Sequence, residues 1–284
     1  MKELGSEKVA LVTGTSSGIG NATAKALFQA GFHVVATARD VKDIKDLADL
    51  GCETAELDVT DNASAKKAVK AAEKHNGSIY LLVNDAGYGQ YGPVEEIPLD
   101  DIRQQFEVNV FGLIRLCQLV LPGMREAGVG RIVNISSVAG EIKQPGSGIY
   151  HATKHAVEAI DGALRTEVEA FGIDVIGILP GPVNTNFDEV AVASIPDTGR
   201  NSPYYIFKEN LKKTTREMLK PGGTGVSEPE DIAAKVVEAA TAESPSTRYH
   251  VGLMSKTMSV ISGIVPDSVW DAAMKHKIPV NEKK

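Results

Sequence analysis

Tyr150, Lys154 four residues after it and Ser137 thirteen residues before it are a phenol, an ammonium and a hydroxyl that one site could use to move a proton. Residues four apart share a helix face, so Tyr150 and Lys154 can act together if the chain there is helical. A free phenol has a pKa of about 10 and is a poor base at neutral pH. A neighbouring ammonium favours its phenolate, and Lys154 is placed to be that ammonium. Tyr150 would then give a proton to a carbonyl oxygen during reduction or take one from an alcohol during oxidation, with Ser137 bonding the same oxygen. Alone, a Tyr-x-x-x-Lys pair describes a surface tyrosine beside a lysine equally well. Its weight comes from two other features, Asn109 and the run Gly14, Thr15, Ser16, Ser17, Gly18, Ile19 and Gly20.

These residues need a scaffold, and the hydropathy pattern supplies one. Residues 8–12 are apolar and end in the glycine run, after which 19–30 has helical apolar spacing closed by Gly31. Strand, glycine turn and helix in that order let a pyrophosphate sit on unpaired amides at the helix start. The alternation continues with strands at 33–37, 54–57, 79–83, 131–135 and 174–179, and with helices at 40–50, 63–75, 102–121 and 150–170. Strands joined by helices of this length need parallel, right-handed crossovers. The expected architecture is a single α/β domain of Rossmann type, a doubly wound parallel sheet with helices on both faces. After Pro180-Gly181-Pro182 the rhythm fails until a helix at 228–240, and only 204–219 between them reads as helical. An irregular excursion of this length inside a compact domain is usually functional. The division is therefore a cofactor-binding and catalytic core at 8–185, a substrate lid at 186–226, and C-terminal helices with a last strand at 227–284.

Composition excludes several classes. The net charge of −7 and the absence of a Lys/Arg run argue against nucleic acid and other polyanions as partners. Cys52 and Cys117 stand far apart with no Cys-x-x-Cys, so reduced, buried thiols are expected and neither a disulfide nor a metal is. His151 and His155, four apart, could suggest a metal pair, but a third ligand is not evident. Glu158 reads as a helix-surface charge. The polar residues 1–8 do not read as a secretory leader, which makes a cytoplasmic location the expectation. The apolar stretch 251–270 is broken by Lys256, Gly263, Pro266 and Asp267 and falls short of a spanning helix. Ordinary packing, a subunit contact and a lipid-facing surface all remain open for it.

The spacing Gly-x-x-x-Gly-x-Gly at 14–20 resembles the short-chain dehydrogenase/reductase family, and the likeness extends from about Val9 to Ala240. Asn84, Asp85, Ala86 and Gly87 resemble its Asn-Asn-Ala-Gly segment beside the adenine ribose, with Asp85 in place of the second Asn. The resemblance implies catalytic roles for Asn109, Ser137, Tyr150 and Lys154. Asn109 would anchor a water linking Lys154 to solvent, and Lys154 would also hold the nicotinamide ribose. It implies that Asp58 and Val59 line the adenine, and that Pro180, Gly181, Val183 and Thr185 receive the nicotinamide carboxamide. It also implies a homodimer or homotetramer built through the helices at 102–121 and 150–170.

NAD enzymes place a carboxylate on the adenine ribose about 20 residues past the glycines, whereas NADP enzymes need a cation there. The aligned residue is Ala38, followed by Arg39, which favours NADP(H) with Arg39 as the phosphate clamp. The other reading makes Asp40 the ribose ligand. Tyr88, Tyr91, Phe187 and Tyr204, with Ser137, are the candidate substrate contacts. The segments around Tyr88–Tyr91 and Gly181–Phe187 resemble hydroxysteroid and retinol dehydrogenases, so the expected substrate is a hydrophobic ketone or secondary alcohol, a steroid first. The alternatives are a 3-oxoacyl chain or a small aryl or aliphatic ketone. A different class, an NADP(H)-binding sensor or scaffold without turnover, would have no need for Tyr150.

Overall fold

The computed structural model of the chain describes residues 8–218 and 225–279. The polar stretch 1–7, Leu219 at the end of the expected lid helix, and the lid residues 220–224 lie outside the described residues. Seven parallel strands form one sheet: β1 (Val9–Val12), β2 (His33–Ala38), β3 (Glu53–Glu56), β4 (Leu81–Asn84), β5 (Gly130–Ile135), β6 (Ile173–Pro180) and β7 (Arg248–Val251), in the spatial order β3-β2-β1-β4-β5-β6-β7. This is the expected doubly wound fold, and the order reverses between β1 and β4, where such sheets open a ligand crevice.

The central strands β1 and β4 are buried throughout because both faces of the sheet are covered there. Ala10 and Val12 of β1 point into one core with α1 (Gly18–Gln29), α2 (Lys45–Leu50) and α9 (Pro229–Thr241). Val9 and Leu11 point into the opposite core with α3 (Asn62–Glu73), α5 (Leu113–Ala127) and α6 (Gly148–Val168). The expected helix at 102–121 is a longer compound element: α4 (Leu99–Phe106), a π-helical turn at Glu107–Gly112, then α5. Leu99–Ala127 is long and apolar enough to cross a membrane by length and composition, but Leu113, Leu116, Cys117, Val120 and Met124 on it belong to the sheet core.

The lid holds more structure than its sequence suggests. Besides α8 (Tyr205–Met218) it contains the short α7 (Phe187–Ala193). After β7 come α10 (Leu253–Ile264) and α11 (Asp267–Lys277). α10 packs on the domain through the buried Ser255, which donates to the Leu179 carbonyl at 2.6 Å, while Leu253 and Ile264 are 71% and 76% exposed. Cys52 and Cys117 are free, buried thiols whose pKa values burial pushes up to about 11 and about 12, so neither is poised as a nucleophile.

Candidate active site

The turn between β1 and α1 carries Gly14 at φ +70° and Gly18 at φ +56°, left-handed conformations suited to glycine. A Cβ on Gly14 would lie 2.9 Å from the backbone nitrogen of Ala86, and one on Gly20 would lie 2.4 Å from the carbonyl oxygen of Gly14. Both distances are shorter than a real side chain tolerates, so the turn closes on the end of β4 only with glycine. Ser17, at the head of α1, makes no side-chain cap bond, and the first turn holds no acidic residue. That leaves a helix start whose dipole is free to favour an anion, as a dinucleotide pyrophosphate requires. Thr15 is buried with its hydroxyl donating to the Thr37 carbonyl at 3.1 Å, Ser16 and Ser17 are exposed at the rim, and Ile19 packs on the core.

Thr13 ties this turn to the segment at 84–87. Its hydroxyl accepts from the amides of Asp85 at 3.0 Å and Ala86 at 3.1 Å. Asn84 steadies the sheet by donating to the Asn134 side chain at 2.8 Å, and Asn134 donates to Asp161 at 2.6 Å. Gly87 follows against the Asn109 side chain, 3.2 Å from where its Cβ would be. On the other side, β6 ends at Pro180, the Gly181 amide donates to Val251 at 3.0 Å, and Val183 bridges to Ser227. The methyl of Thr185 would lie 3.1 Å from a Cβ on Gly18, and its hydroxyl accepts from the Phe187 amide at 3.2 Å. A cavity of about 270 Å³ separates Ser17 and Gly18 from Asn184–Asn186 and the start of α9. The residues thus fit a dinucleotide whose phosphates lie on the glycine turn.

Tyr150 and Lys154 share one face of α6, and both are buried. Burial pushes the Tyr150 phenol up to about 12, a hydrogen bond with Ser137 pulls it down, and the Asp85 charge raises it further. The Lys154 ammonium stands 5.9 Å from the ring centroid and donates to the Ile135 carbonyl at 2.7 Å. At neutral pH Tyr150 is therefore a protonated donor in this arrangement. Burial brings Lys154 down to about 8, against the opposing charges of Asp85, Asp161 and Glu158. Ser137 caps the 3-10 turn Val138–Gly140 by accepting from the Ala139 amide at 3.1 Å.

Asn109 lies in the π-helical turn, a distortion frequent at functional sites. Its amide donates to the Tyr88 carbonyl at 2.9 Å and to the Thr153 hydroxyl at 3.1 Å, and its oxygen accepts from the Tyr88 amide at 3.1 Å. The side chain is thus occupied in locking the Tyr88 loop to α6. The expected water anchor is left only one lone pair of the side-chain oxygen.

Tyr91 and Phe187 form the wall over Tyr150, with ring centroids 6.1 Å and 5.3 Å from it. Burial, with Tyr150 adding to it, pushes the Tyr91 phenol well above its ordinary value. Tyr88 enters through its backbone. Tyr204 packs at the edge of the lid cluster and turns its hydroxyl outward to Glu95 at 2.6 Å. At the far end of the crevice, Arg39 is exposed just past β2, and its charge contributes to holding Asp58 below the ordinary carboxylate range. Asp58 also binds the amide and hydroxyl of Thr60 at 2.9 and 2.7 Å, and Val59 packs where Gly112 lacks a side chain.

Two readings change, those of Glu158 and Asp85. The Nδ1 atoms of His151 and His155 face the carbonyls of Ile142 at 2.7 Å and His151 at 2.9 Å. Burial lowers His151 to about 4, so it is neutral and stacks edge-on to Tyr150. Glu158 is not a surface charge: it is buried and accepts from Arg248 at 2.9 Å. Asp85 is more than a neutral replacement for Asn. Its carboxyl accepts from the Gly20 amide and senses Lys154, while burial pushes it up to about 7. The signal for Asp85 was its departure from the Asn-Asn-Ala-Gly pattern.

Residues 8–194 match the short chain dehydrogenase family. Over 93% of this chain and 95% of its own length, an NADPH-dependent 3-dehydrocapnine reductase of Ornithobacterium rhinotracheale is 34% identical. A 3-ketodihydrosphingosine reductase of Bacteroides thetaiotaomicron is 31% identical over 94% and 97%. A crystal structure of a short-chain dehydrogenase from Streptomyces avermitilis superposes with a TM-score of 0.79 at 33% identity, covering 96% of this chain and 98% of that one. Similar folds are solved with NADP+ in a serine dehydrogenase, at TM-score 0.75 and 27% identity over 87% of this chain and 95% of that one, and with NAD in a protein of Burkholderia phymatum, at 0.78 and 25% over 96% and 97%. The chain belongs to the short-chain dehydrogenase/reductase family and is an oxidoreductase.

Proposed function

We propose that the chain interconverts a hydrophobic ketone and its secondary alcohol with NADP(H), Tyr150 serving as proton donor and acceptor. The observation that carries this reading is a buried phenol, hydrogen-bonded to Ser137, beneath an aromatic wall of Tyr91 and Phe187. A carbonyl oxygen received by Tyr150 and Ser137 would be polarised by two hydroxyls, and the proton of Tyr150 would pass to it as charge develops. The nicotinamide, when bound, supplies or accepts the hydride. Lys154 would hold the ribose and lend positive charge near the phenol. The apolar wall keeps water from the reacting carbon.

Three observations support NADP(H). Ala38 ends β2 without a carboxylate, Arg39 is exposed beside Asp58, and Asp40 is already committed, accepting from the Lys42 amide at 2.9 Å to cap its own turn. A relative is also named as NADPH-dependent.

Within the hydrophobic-ketone class, two relatives are named for a 3-dehydro and a 3-keto substrate of their own. This favours a 3-oxo chain compound, nearer to the 3-oxoacyl alternative than to a steroid. The buried cluster of Tyr91, Phe207 and Leu211 beside Tyr150 is an apolar surface that a long chain suits. A cytoplasmic homodimer or homotetramer formed through α5 and α6 completes the proposal; the half-exposed Phe111 beside α5 is an apolar residue such a contact would cover.

The test is absorbance at the reduced-nicotinamide band with NADPH and NADH in parallel across 3-oxo lipids, steroid ketones, retinal and aryl ketones. Turnover confined to NADPH and strongest on 3-oxo lipids supports the reading. Tight NADPH binding with no turnover on any ketone would favour a sensor or scaffold.

A further inference from the structure

The crevice described above lies at the carboxyl ends of the strands. At the opposite, amino edge of the sheet three side chains with metal-ligand chemistry meet. His33 opens β2 and Glu53 opens β3. Val35 pairs with Glu53 across these strands, and His33 precedes Val35 by two residues, so His33 and Glu53 lie on one face of the sheet. His75 comes to that face just past the end of α3. His33 Nε2 is 3.2 Å from Glu53 Oε2, and His75 Nε2 contacts the same oxygen. The three ligand atoms lie within 4.8 Å of one another, and the two imidazoles stack with centroids 3.7 Å apart and planes 34° apart.

Without an ion, two neutral imidazoles would both direct their N–H groups at one oxygen of Glu53. If both are protonated, two cations stack 3.7 Å apart against one negative charge. A divalent ion in place of the two protons uses two neutral Nε2 lone pairs and an anionic oxygen together. Metal–nitrogen and metal–oxygen distances of about 2.0–2.2 Å put the ligands of a tetrahedral ion roughly 3.3 Å apart, close to the 3.2 Å between His33 and Glu53. Two imidazoles and one carboxylate suit zinc and its neighbours rather than magnesium or calcium, which favour oxygen. The side chains of His33, Glu53 and His75 are 30%, 32% and 39% exposed, which leaves an entry path and a position for water.

We propose that His33, Glu53 and His75 form a binding site for a divalent transition-metal ion of the zinc type, with water as the remaining ligand. Its place in the fold assigns it a structural role. β3 is an edge strand, paired on one side by β2, and it leads directly to Asp58 and Val59. The ion would staple β3 and β2 to the end of α3, remote from Tyr150.

The test uses the full chain without an affinity tag, stripped with chelator and titrated with Zn2+ by calorimetry. Co2+ serves as a spectroscopic substitute, read by its visible absorption, and thermal midpoints are recorded with and without Zn2+. One equivalent should bind and raise the midpoint. Glu53→Gln and His75→Ala should each weaken binding by more than roughly 100-fold, since losing only an outer-shell partner costs about 10–100-fold. His155→Ala should leave the affinity unchanged. Glu53→Gln preserves shape and His75 is exposed, so circular dichroism should show both variants folded. No saturable site at one equivalent, or the parent's Zn2+ affinity retained in both variants, would overturn the proposal.

Discussion

One carboxylate clamps three side chains of the segment read as a lid, and removing its charge has a magnitude that the structure sets. Glu96, in the loop between β4 and α4, accepts from Thr198 at 3.0 Å and from Ser202, and pairs with Lys208 of α8 at 2.7 Å. The side chains of Lys208 and Glu96 are 4% and 12% exposed. Glu96→Gln leaves the Lys208 ammonium buried without its counter-charge, a change that costs about 3–5 kcal/mol. Because α8 belongs to a surface excursion, Lys208 can regain water by lifting the lid while the sheet stays folded. At 1.4 kcal/mol per tenfold, the closed-to-open ratio of the lid should fall by about two to three orders of magnitude. The assay is KM for the ketone together with limited proteolysis of 187–218. Both should change strongly while the main thermal transition moves little. The double variant Glu96→Gln/Lys208→Met carries no orphaned charge and should recover most of the loss. Burial works against ionisation of Glu96, but hydrogen bonds from Lys208, Ser202 and Thr198 hold it below its ordinary 4.5. The clamp is therefore complete above that pH and lost as pH falls through the lower folded value. If KM and proteolysis in Glu96→Gln stay within twofold of the parent, the clamp argument is wrong.

Other expectations are more local. Gly20→Ala places a Cβ 2.4 Å from the Gly14 oxygen and should abolish NADPH binding, read by nucleotide fluorescence, while circular dichroism shows the sheet intact. Arg39→Asp should shift the ratio of kcat/KM for the two cofactors toward NADH, and an unchanged ratio would remove Arg39 as the phosphate clamp. Since Lys154 in the free enzyme titrates at about 8, kcat/KM for NADPH should decline above that pH as its charge is lost. The Asp85 carboxyl rises from 3.8 to about 7, so the folded state holds its proton longer than the unfolded state. Its contribution to stability is full below 3.8 and is lost as pH rises toward 7. Asp85→Asn should flatten that part of the stability profile in urea titrations, and an identical profile would show that Asp85 does not titrate there.

Much of the site was legible because its residues are close in sequence or set by local geometry. Tyr150 and Lys154 needed only a helix, and Gly14 to Gly20 only a strand followed by a helix. The doubly wound sheet followed from alternation of apolar runs with helical spacing, since the central strands, covered on both faces, are mostly apolar. What escaped notice depends on contacts between distant segments. Glu158 reads as a surface charge until Arg248, 90 residues away, is seen beside it. The Glu96–Lys208 clamp spans 112 residues, and nothing near either partner marks it. The short helix α7 has too few residues to show a period. The hold on the Lys154 ammonium was out of reach for a different reason. Spacing brings Lys154 to the correct helix face, but the direction of a flexible side chain is set by the Ile135 carbonyl.

The most direct test of the account is Tyr150→Phe, which removes one hydroxyl from a buried ring. Nucleotide fluorescence should show NADPH bound with the parent's affinity, while ketone reduction falls by about 100-fold or more, the scale of a lost general acid. Parental turnover in the Phe variant would contradict the assignment of Tyr150 as the proton donor.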